Sequence, residues 1–261
     1  MNRFTHLILF TIACVLAVGC ASRPRAGEPL KRTGDEIVVC GQLFHTGGAR
    51  VVLWTDPNGY DAYRTQQRFT PGATTRQSFE PRDASDPQPG LAAVQNRIDQ
   101  FVLHYDACGA SSECFRVLHD QRGLSVHFML DTDGTIYQTL DLKERAWHAT
   151  TSNSRSIGVE IANLGASAQP DEKLGQDLVQ GEVQGQMLYQ PRFTPQQYES
   201  LIKLTATVCK VFPKIRCDYP RDERGQLLTR KLPDEMLASY QGVLGHFHVQ
   251  TNKTDPGPAF E

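Results

Sequence analysis

The chain has 261 residues, of which 39% are hydrophobic and 21% are charged, and its formal net charge is −2 at pH 7. This length suits one large domain, or one domain with an attachment, and the composition is that of a folded globular protein. The small negative net charge gives no reason to expect a nucleic-acid partner.

The first twenty residues have the three parts of an export signal. Arg3 supplies a positive start, residues 7–18 form an apolar run, and Gly19-Cys20 follows. Because this run is too short to span a bilayer, we predict a lipoprotein-type signal peptide over residues 1–20 and leave it out of the fold.

Cys20 resembles the cysteine of a bacterial lipobox, which is acylated and becomes the new N-terminus. Ala17 stands where such boxes usually carry Leu, and Leu16 lies one position further back, so ordinary cleavage after Gly19 is the alternative. We favour lipidation of Cys20, which predicts a membrane-anchored protein of the cell envelope. One acyl chain binds membranes only marginally, so a stable anchor needs several chains. Residues 21–35 then form a tether.

Export permits disulfides. When the two cysteines of the predicted signal are set aside, five remain: Cys40, Cys108, Cys114, Cys209 and Cys217. Pairing of sequence neighbours would join Cys108 to Cys114 and Cys209 to Cys217 and leave Cys40 unpaired, although spacing alone does not fix connectivity. No Cys-x-x-Cys pair occurs, so we do not expect a cysteine zinc cluster.

The segment after the tether is predicted to be a small β unit over residues 36–69. Short apolar strands at 37–39 and 51–54 flank a glycine turn. We assign this unit no function and interpret its His45 as a surface residue. Residues 70–94 are polar and rich in Pro, Asp, Ser and Thr near their start, and we predict a linker there.

Strands and helices alternate over residues 95–261. The nearly continuous apolar run at 101–105 predicts a strand buried on both faces. Residues 110–121 suit a helix, and the strands 126–130 and 135–140 are joined by an Asp-Gly turn of hairpin type.

Another strand is predicted at 157–162, and the polar, Gln- and Gly-rich residues 164–190 are predicted to form a long surface loop. A helix then begins at Thr194, whose hydroxyl can cap it together with Gln197, and it continues to residue 212. We therefore predict a mixed α/β fold, in which a central mixed β-sheet is flanked by α-helices and preceded by the small N-terminal β unit.

The last seventeen residues contain a candidate metal site. His246 and Asp255 can each give a lone pair to a divalent cation, and Lys253 lies two positions before the carboxylate. His104 lies in a strand predicted to be buried, where an unpaired imidazole would be costly. Each of these residues taken singly suits an ordinary surface or core position. Together, two histidines and one carboxylate that leave a fourth position for water are typical of a catalytic zinc site.

Glu160 is the candidate general base. Alternation along the strand 157–162 places Glu160 on one face with Gly158 and Ala162, whose minimal side chains leave space in front of the carboxylate. The alternative is a solvated glutamate on an edge strand.

This combination resembles the zinc-dependent N-acetylmuramoyl-L-alanine amidases of the amidase type 2 class, which share a fold with peptidoglycan recognition proteins. The resemblance covers residues 95–261. It is carried by His104, residues 126–134, 146–149 and 156–160, Gly245-His246 and residues 253–258.

The resemblance implies that His104, His246 and Asp255 bind Zn²⁺. It also implies that Glu160 activates the attacking water and that Lys253 stabilises the charge that develops on the carbonyl oxygen. Four further residues are candidates for binding substrate or supporting the site: His127, Trp147, His148 and Asn163.

Many recognition proteins have a short disulfide where Cys108 and Cys114 stand, which supports a bond between these two cysteines.

His248 stands where the cytoplasmic recycling amidases have an acidic residue. We interpret it as exposed, with competition for the metal as the alternative.

The expected function is hydrolysis of the amide bond between N-acetylmuramic acid and L-alanine in peptidoglycan or in muropeptides. The alternative is a non-catalytic module of the same fold that binds peptidoglycan. Neither the preferred substrate length nor the oligomeric state follows from the sequence.

Overall fold

The computed structural model describes residues 32–64, 78–170 and 177–260. The predicted signal peptide with Cys20, and residues 21–31 of the predicted tether, lie outside these residues. Within them, no helix combines the length and the apolar character needed to cross a membrane.

The described residues contain twelve strands and five α-helices. The strands in chain order are β1 Glu36–Val39, β2 Gln42–His45, β3 Val51–Leu53, β4 Phe79–Pro81, β5 Gln100–Tyr105, β6 Phe128–Leu130, β7 Ile136–Gln138, β8 Glu144–Ala146, β9 Ser156–Ile161, β10 Leu178–Val183, β11 Gln186–Pro191 and β12 Gly242–Gly245. The helices are α1 Leu91–Arg97, α2 Ser111–Phe115, α3 Pro195–Val211, α4 Asp234–Ser239 and α5 His246–Val249. A π-helical segment, Arg116–Arg122, continues α2.

Six of the strands form a central mixed sheet in the order β12-β5-β9-β6-β7-β3. Neighbours run parallel except β6 and β7, which form the predicted Asp-Gly hairpin and are antiparallel. The side chains of β5 are almost entirely buried because β5 lies between two strands and carries layers on both faces. The predicted mixed α/β fold is confirmed.

The long helix α3 covers one face of this sheet. Its apolar residues Leu201, Leu204 and Val208 belong to the same buried cluster as Phe101 and Val159 of the sheet. A second cluster, which includes Phe115 of α2 and Met129 of β6, is built around the shorter helix. The spacing of apolar residues along α3 therefore orients the helix against the sheet.

The start of α3 follows the predicted capping pattern. Thr194 Oγ1 accepts a hydrogen bond from the backbone N–H of Gln197 at 3.1 Å, and Gln197 Oε1 accepts one from the backbone N–H of Thr194 at 2.9 Å. Both contacts satisfy backbone donors that the helix itself leaves free.

The N-terminal β unit is more closely joined to the sheet than predicted. Strand β3 is the edge strand of the central sheet, where it pairs in parallel with β7, and Ile37 and Val39 of β1 are buried in the main core. Part of the predicted linker is also regular, because β4 pairs with β8 and Phe79 is buried. Buried apolar side chains hold these short elements in place despite their polar surroundings.

The predicted loop at 164–190 is wrong in its second half. Residues 178–191 form the hairpin β10–β11, closed by the two-residue turn Gln184-Gly185. Few of its side chains are buried, among them Val183 and Leu188, so the strands lack the apolar alternation that would identify them in the sequence.

One predicted disulfide is present and the other is not. Cys209 is bonded to Cys217, which ties the end of α3 to the segment that follows it. Cys108 and Cys114 are free thiols, as is Cys40. Burial, followed by the negative charges of Glu160 and Asp106, raises the pKa of the Cys114 thiol, and burial also raises the pKa of Cys108, so the pair is held as two neutral thiols.

Candidate metal and catalytic site

Three parallel strands deliver the predicted site residues to one edge of the sheet. His104 is the penultimate residue of β5, Glu160 lies opposite it in β9, and His246 immediately follows β12. The carboxyl ends of parallel neighbours meet at the same edge, which is where α/β sheets commonly bind ligands. The loop after α5 then returns Asp255 to this edge.

His104, His246 and Asp255 converge on one point. His104 Nδ1 lies 3.0 Å from His246 Nδ1 and 2.8 Å from Asp255 Oδ2, and His246 Nδ1 lies 2.9 Å from the same carboxylate oxygen. All three residues are buried, with exposed fractions of 2%, 3% and 7%.

The hydrogen bonds around His246 determine which of its nitrogens faces this point with a lone pair. His246 Nε2 lies 2.7 Å from Gln250 Oε1, an oxygen that can only accept, so in the neutral ring Nε2 carries the proton. Nδ1 is then an acceptor that faces a second acceptor, Asp255 Oδ2. A divalent cation satisfies such a set of lone pairs, and the two nitrogens and one carboxylate oxygen are ligands that zinc prefers. The residues therefore fit the metal that the sequence predicts.

His104 has a matching arrangement on its other side. Its Nε2 lies 3.0 Å from His148 Nδ1, and His148 Nε2 lies 3.2 Å from Ser156 Oγ. When Nε2–H of His104 donates to His148, Nδ1 is left free for a metal. Gly158 makes room for the His148 ring, because a Cβ at that position would lie 2.5 Å from His148 Nδ1.

The charges of the cluster reflect burial and mutual contact. Burial opposes ionisation of Asp255, but hydrogen bonds with His104 and His246 outweigh it and hold the pKa of this carboxyl well below its usual range. Burial and the neighbouring His246 lower the pKa of His104 to about 4. Asp255 is thus held as a carboxylate and His104 as a neutral imidazole, the ionisation states that metal ligands require.

A cavity of about 490 Å³ opens beside the cluster. Glu160 and Lys253 line it together with all three candidate ligands. Burial, followed by the negative charges of Asp255 and Asp106, raises the pKa of Glu160 well above its usual range. A carboxylate with a raised pKa at the wall of a cavity is typical of a general acid or base.

The four candidate substrate-binding residues separate into two pairs. Trp147 and His148 line the cavity as predicted. His127 is fully buried beneath the site, where its Nδ1 accepts a hydrogen bond from Gly158 N and its Nε2 contacts Glu144 O. Asn163 is also buried, and its side chain contacts Pro191 O and Gly165 N. The polar atoms of His127 and Asn163 therefore bind the protein backbone, which agrees with a role in supporting the site, and their contact with substrate stays a prediction.

His248 is buried and faces away from the cluster. Its Nδ1 accepts a hydrogen bond from Gly245 N at 2.9 Å, and its Nε2 donates to Leu228 O. Both ring nitrogens are occupied, so the interpretation of His248 as exposed is wrong, and it does not compete with the candidate ligands.

Two residues of the site were missed in the sequence. Gln250 and Ser156 hold the outer nitrogens of His246 and His148. Gln250 lies four positions after His246 at the end of one helical turn, a spacing that would have identified it once α5 was known. Ser156 reaches His148 only through the packing of β9, for which the sequence contains no local signal.

Comparison with known proteins gives one family. The family model described as N-acetylmuramoyl-L-alanine amidase matches residues 94–258. The 1,6-anhydro-N-acetylmuramyl-L-alanine amidase AmpD of Haemophilus influenzae is 34% identical over 106 residues, which cover 38% of this chain and 45% of that protein. The aligned part is thus less than half of that relative's length.

Similar solved structures are more distant in sequence. The N-acetylmuramyl-L-alanine amidase AmiD from E. coli, in complex with anhydro-N-acetylmuramic acid-L-Ala-D-γ-Glu-L-Lys, is 20% identical, with 71% of this chain and 63% of that chain covered at a TM-score of 0.44. The Drosophila peptidoglycan recognition protein SD is 14% identical, with 81% and 90% covered at a TM-score of 0.39. The family match extends over more than half of the sequence, and the chain therefore belongs to the amidase type 2 family of N-acetylmuramoyl-L-alanine amidases.

Proposed function

We propose that the protein is a zinc-dependent hydrolase that cleaves the amide bond between N-acetylmuramic acid and L-alanine in peptidoglycan or muropeptides. One observation carries the proposal. His104, His246 and Asp255 direct three lone pairs to one point at the wall of a cavity that Glu160 and Lys253 also line. Membership of the amidase family supports this substrate class.

The three converging residues would hold the zinc ion. His104 and His246 contribute Nδ1, and Asp255 contributes Oδ2, while His148 and Gln250 fix the outer nitrogens of the two imidazoles. When bound at such a site, zinc acidifies water and polarises a carbonyl group. The contacts of the outer nitrogens keep both rings in the tautomer and orientation that ligation needs.

Glu160 is the proposed general base. Its carboxylate takes a proton from the attacking water and then gives it to the leaving amino group of L-alanine, so the proton is returned within one turnover. The raised pKa of Glu160 suits this exchange, because it makes the carboxylate a stronger base toward the attacking water than an ordinary glutamate is.

Lys253 is proposed to stabilise the negative charge that develops on the carbonyl oxygen. It lines the same cavity as Glu160, and its positive charge lowers the pKa of Glu160, against the larger effect of burial. A preorganised positive group at this oxygen lowers the barrier more than it strengthens substrate binding.

The location of the enzyme is part of the proposal. The N-terminal sequence, with its apolar run and Cys20, supports export and lipid anchoring in the cell envelope. Peptidoglycan lies in the same compartment, so an anchored enzyme would meet its substrate there. Labelling of the expressed protein with a radioactive fatty acid tests this, since Cys20→Ser should abolish the label if Cys20 is the anchor.

Product analysis on purified protein tests the activity. Defined muropeptides incubated with the zinc-loaded enzyme should yield free peptide that begins with L-alanine and sugar that retains its lactyl group, as identified by mass spectrometry. Glu160→Gln, which keeps the size of the side chain but removes its basicity, should lower the rate at least about a hundredfold.

Two results would contradict the proposal. Unchanged cleavage by Glu160→Gln would remove the assigned base. Binding of muropeptide without new products from wild-type protein would instead indicate a recognition module of the same fold.

A further inference from the structure

The segment that carries His246, Lys253 and Asp255 has few hydrogen bonds between its own residues. Residues 246–259 comprise the single turn of α5 and an irregular loop, and they contain His246, Lys253 and Asp255. Within the loop, Phe247 N donates to Asp255 O at 3.0 Å, and Lys253 N donates to Gln250 O at 3.3 Å. These contacts, with Gln250 N to His246 O at 3.1 Å, do not by themselves fix Lys253 against the candidate ligands. Neighbouring elements add support, and one such contact joins Tyr105 Oη of β5 to Thr254 Oγ1 at 2.6 Å.

One glutamine side chain gathers three carbonyl groups of this segment. Gln184 Nε2 lies 2.9 Å from Phe247 O, 2.9 Å from Gln250 O and 3.2 Å from Lys253 O. The orientation of its amide is fixed, since Gln184 Oε1 accepts a hydrogen bond from Lys231 N at 3.1 Å. The amide therefore bridges the helical turn after His246 to the backbone of Lys253.

The backbone of Gln184 is in a conformation that its side chain does not favour. Gln184 and Gly185 form the two-residue turn of the β10–β11 hairpin, with φ angles of 55° and 74°. Such a turn requires positive φ at both positions and strongly prefers Asn or Gly at the first. Glutamine at this point is a poor local choice, and its contacts with the loop supply a reason for its presence there.

The rest of the hairpin contacts the same segment. Val183 and Leu188 pack against Phe247 in a small buried cluster. Further along β11, Gln190 Nε2 donates to Pro256 O at 3.0 Å, and Gln190 Oε1 accepts from Ala259 N at 3.0 Å. The hairpin thus holds the segment on both sides of Asp255.

We propose that the β10–β11 hairpin is a clamp for the active-site loop, and that Gln184 is a positioning residue that sets the place of Lys253 relative to the metal ligands. The proposal deepens the proposed amidase function and rests on it for its kinetic consequence. Gln184 does not line the cavity and is not itself a catalytic residue.

Gln184→Asn removes the contacts of the side chain with the loop while it preserves the turn. Asparagine is favoured at this turn position, so the hairpin should form at least as well, but its side chain is one methylene too short to reach the three carbonyls. Gln186→Asn is the matched control. It makes the same chemical change two positions further along the hairpin, at a side chain that is exposed.

Amide hydrogen exchange gives a readout that does not depend on activity. In Gln184→Asn, exchange of residues 247–254 should become at least about tenfold faster, while exchange in β5 and β9 and the melting temperature stay at wild-type values. Gln186→Asn should match wild type throughout. If residues 247–254 exchange at the wild-type rate in Gln184→Asn, the clamp is overturned, whether or not the protein is an amidase.

The kinetic arm uses an N-acetylmuramoyl-L-alanyl peptide as the substrate. Gln184→Asn should lower kcat about tenfold and leave KM within about twofold, because Lys253 contacts charge that exists only in the transition state. Faster exchange together with unchanged kcat would overturn the positioning role. A wild-type protein that cleaves no muropeptide would contradict the proposed function instead, and the exchange result would still decide the clamp.

Discussion

The imidazole of His148 connects the candidate metal site to the interior of the sheet. It accepts from or donates to His104 Nε2 on one side and Ser156 Oγ on the other, and it lies against the backbone of Gly158. Its neighbours leave the ring little freedom to rotate. An outer partner of this kind fixes the tautomer of a ligating histidine, so its loss should weaken metal binding.

We expect His148→Ala to bind zinc about 10–100-fold more weakly than wild type, since His104 loses the partner of its Nε2. Competition with a chromogenic chelator measures this affinity directly. Gly158→Ala should have a similar effect without removing the histidine, because the new Cβ would lie 2.5 Å from His148 Nδ1 and displace the ring.

The control for both variants is His45→Ala. His45 is exposed and belongs to a different group that could hold a metal, with Asp35 and Glu36, so only the affinity of the His104 site is compared. Its removal should leave the affinity of the site unchanged. Equal zinc affinity in wild type and His148→Ala would contradict the role of the outer contact.

Lys253→Met tests the role of the positive charge. The variant keeps most of the length of the side chain and should lower kcat about 10²–10³-fold, the usual effect of losing one group that stabilises an oxyanion. Zinc affinity should change little, because Lys253 is not a ligand in the proposed site. Lys203→Met, on the outer part of α3, is the control and should keep wild-type kcat. A Lys253→Met enzyme with near wild-type kcat would place the charge stabilisation on another group.

Among the elements, α3 is the one whose start is most strongly determined by local sequence. Thr194→Ala removes the acceptor for Gln197 N and should destabilise the folded protein by about 1 kcal/mol, as measured by urea unfolding. Thr194→Ser keeps the oxygen and should remain within about 0.5 kcal/mol of wild type. Equal losses for Ala and Ser would indicate that the threonine methyl, rather than its hydroxyl, is important.

The elements that the sequence predicts are those with strong local signals. Helix α3, the buried strand β5 and the Asp-Gly hairpin were all identified by apolar period, capping residues or turn chemistry. The hairpin β10–β11 was missed because few of its strand residues are buried and its turn carries Gln instead of Asn. Strand β12 was missed because two of its four residues are glycines.

The candidate site shows the same difference between residues that the sequence identifies and residues that only the fold brings together. His104, His246, Asp255, Glu160 and Lys253 combine into a recognisable pattern of chemical types, and the structure brings them together. The sequence does not tell which of His127 and His148 lines the cavity, since both belong to the residues that carry the family resemblance. Only the packing of the sheet places one ring at the cavity wall and the other beneath it, and this packing depends on contacts between distant segments.

At the scale of the whole molecule, the described residues from Thr33 onward form one compact unit, and buried histidines are spread through it. His127, His104 and His248 all have lowered pKa values because burial disfavours the charged ring. A histidine whose pKa is lower in the folded state than in the unfolded chain stabilises the fold fully above the unfolded pKa. That stability is lost as the pH falls toward the folded pKa. The protein should therefore be sensitive to acid well above the range where carboxylates titrate.

His127 permits a clean test, because it is buried and is not one of the candidate ligands. Its pKa is lowered from 6.5 to about 3, chiefly by burial and next by the charge of Arg82. Between these values the unfolded chain holds one more proton than the folded protein. Each pH unit of acidification should therefore lower the free energy of unfolding by about 1.4 kcal/mol through this residue. His127→Asn, which retains an acceptor for Gly158 N, should be less stable at pH 7 yet lose this part of the slope between pH 6.5 and 4.5. Urea unfolding in the presence of a chelator keeps the metal ligands equivalent in both proteins.

His45 serves as a control because its pKa is shifted in the opposite direction from that of His127. It is fully exposed, and its hydrogen bond with Asp35 raises its pKa, so it stabilises the folded state below the unfolded pKa and loses that effect as the pH rises. His45→Asn should therefore change the pH dependence of stability only above about pH 6.5 and keep the wild-type slope between pH 6.5 and 4.5, whereas His127→Asn makes that slope shallower. If His127→Asn also kept the wild-type slope between pH 6.5 and 4.5, the proton taken up on unfolding would belong to another group.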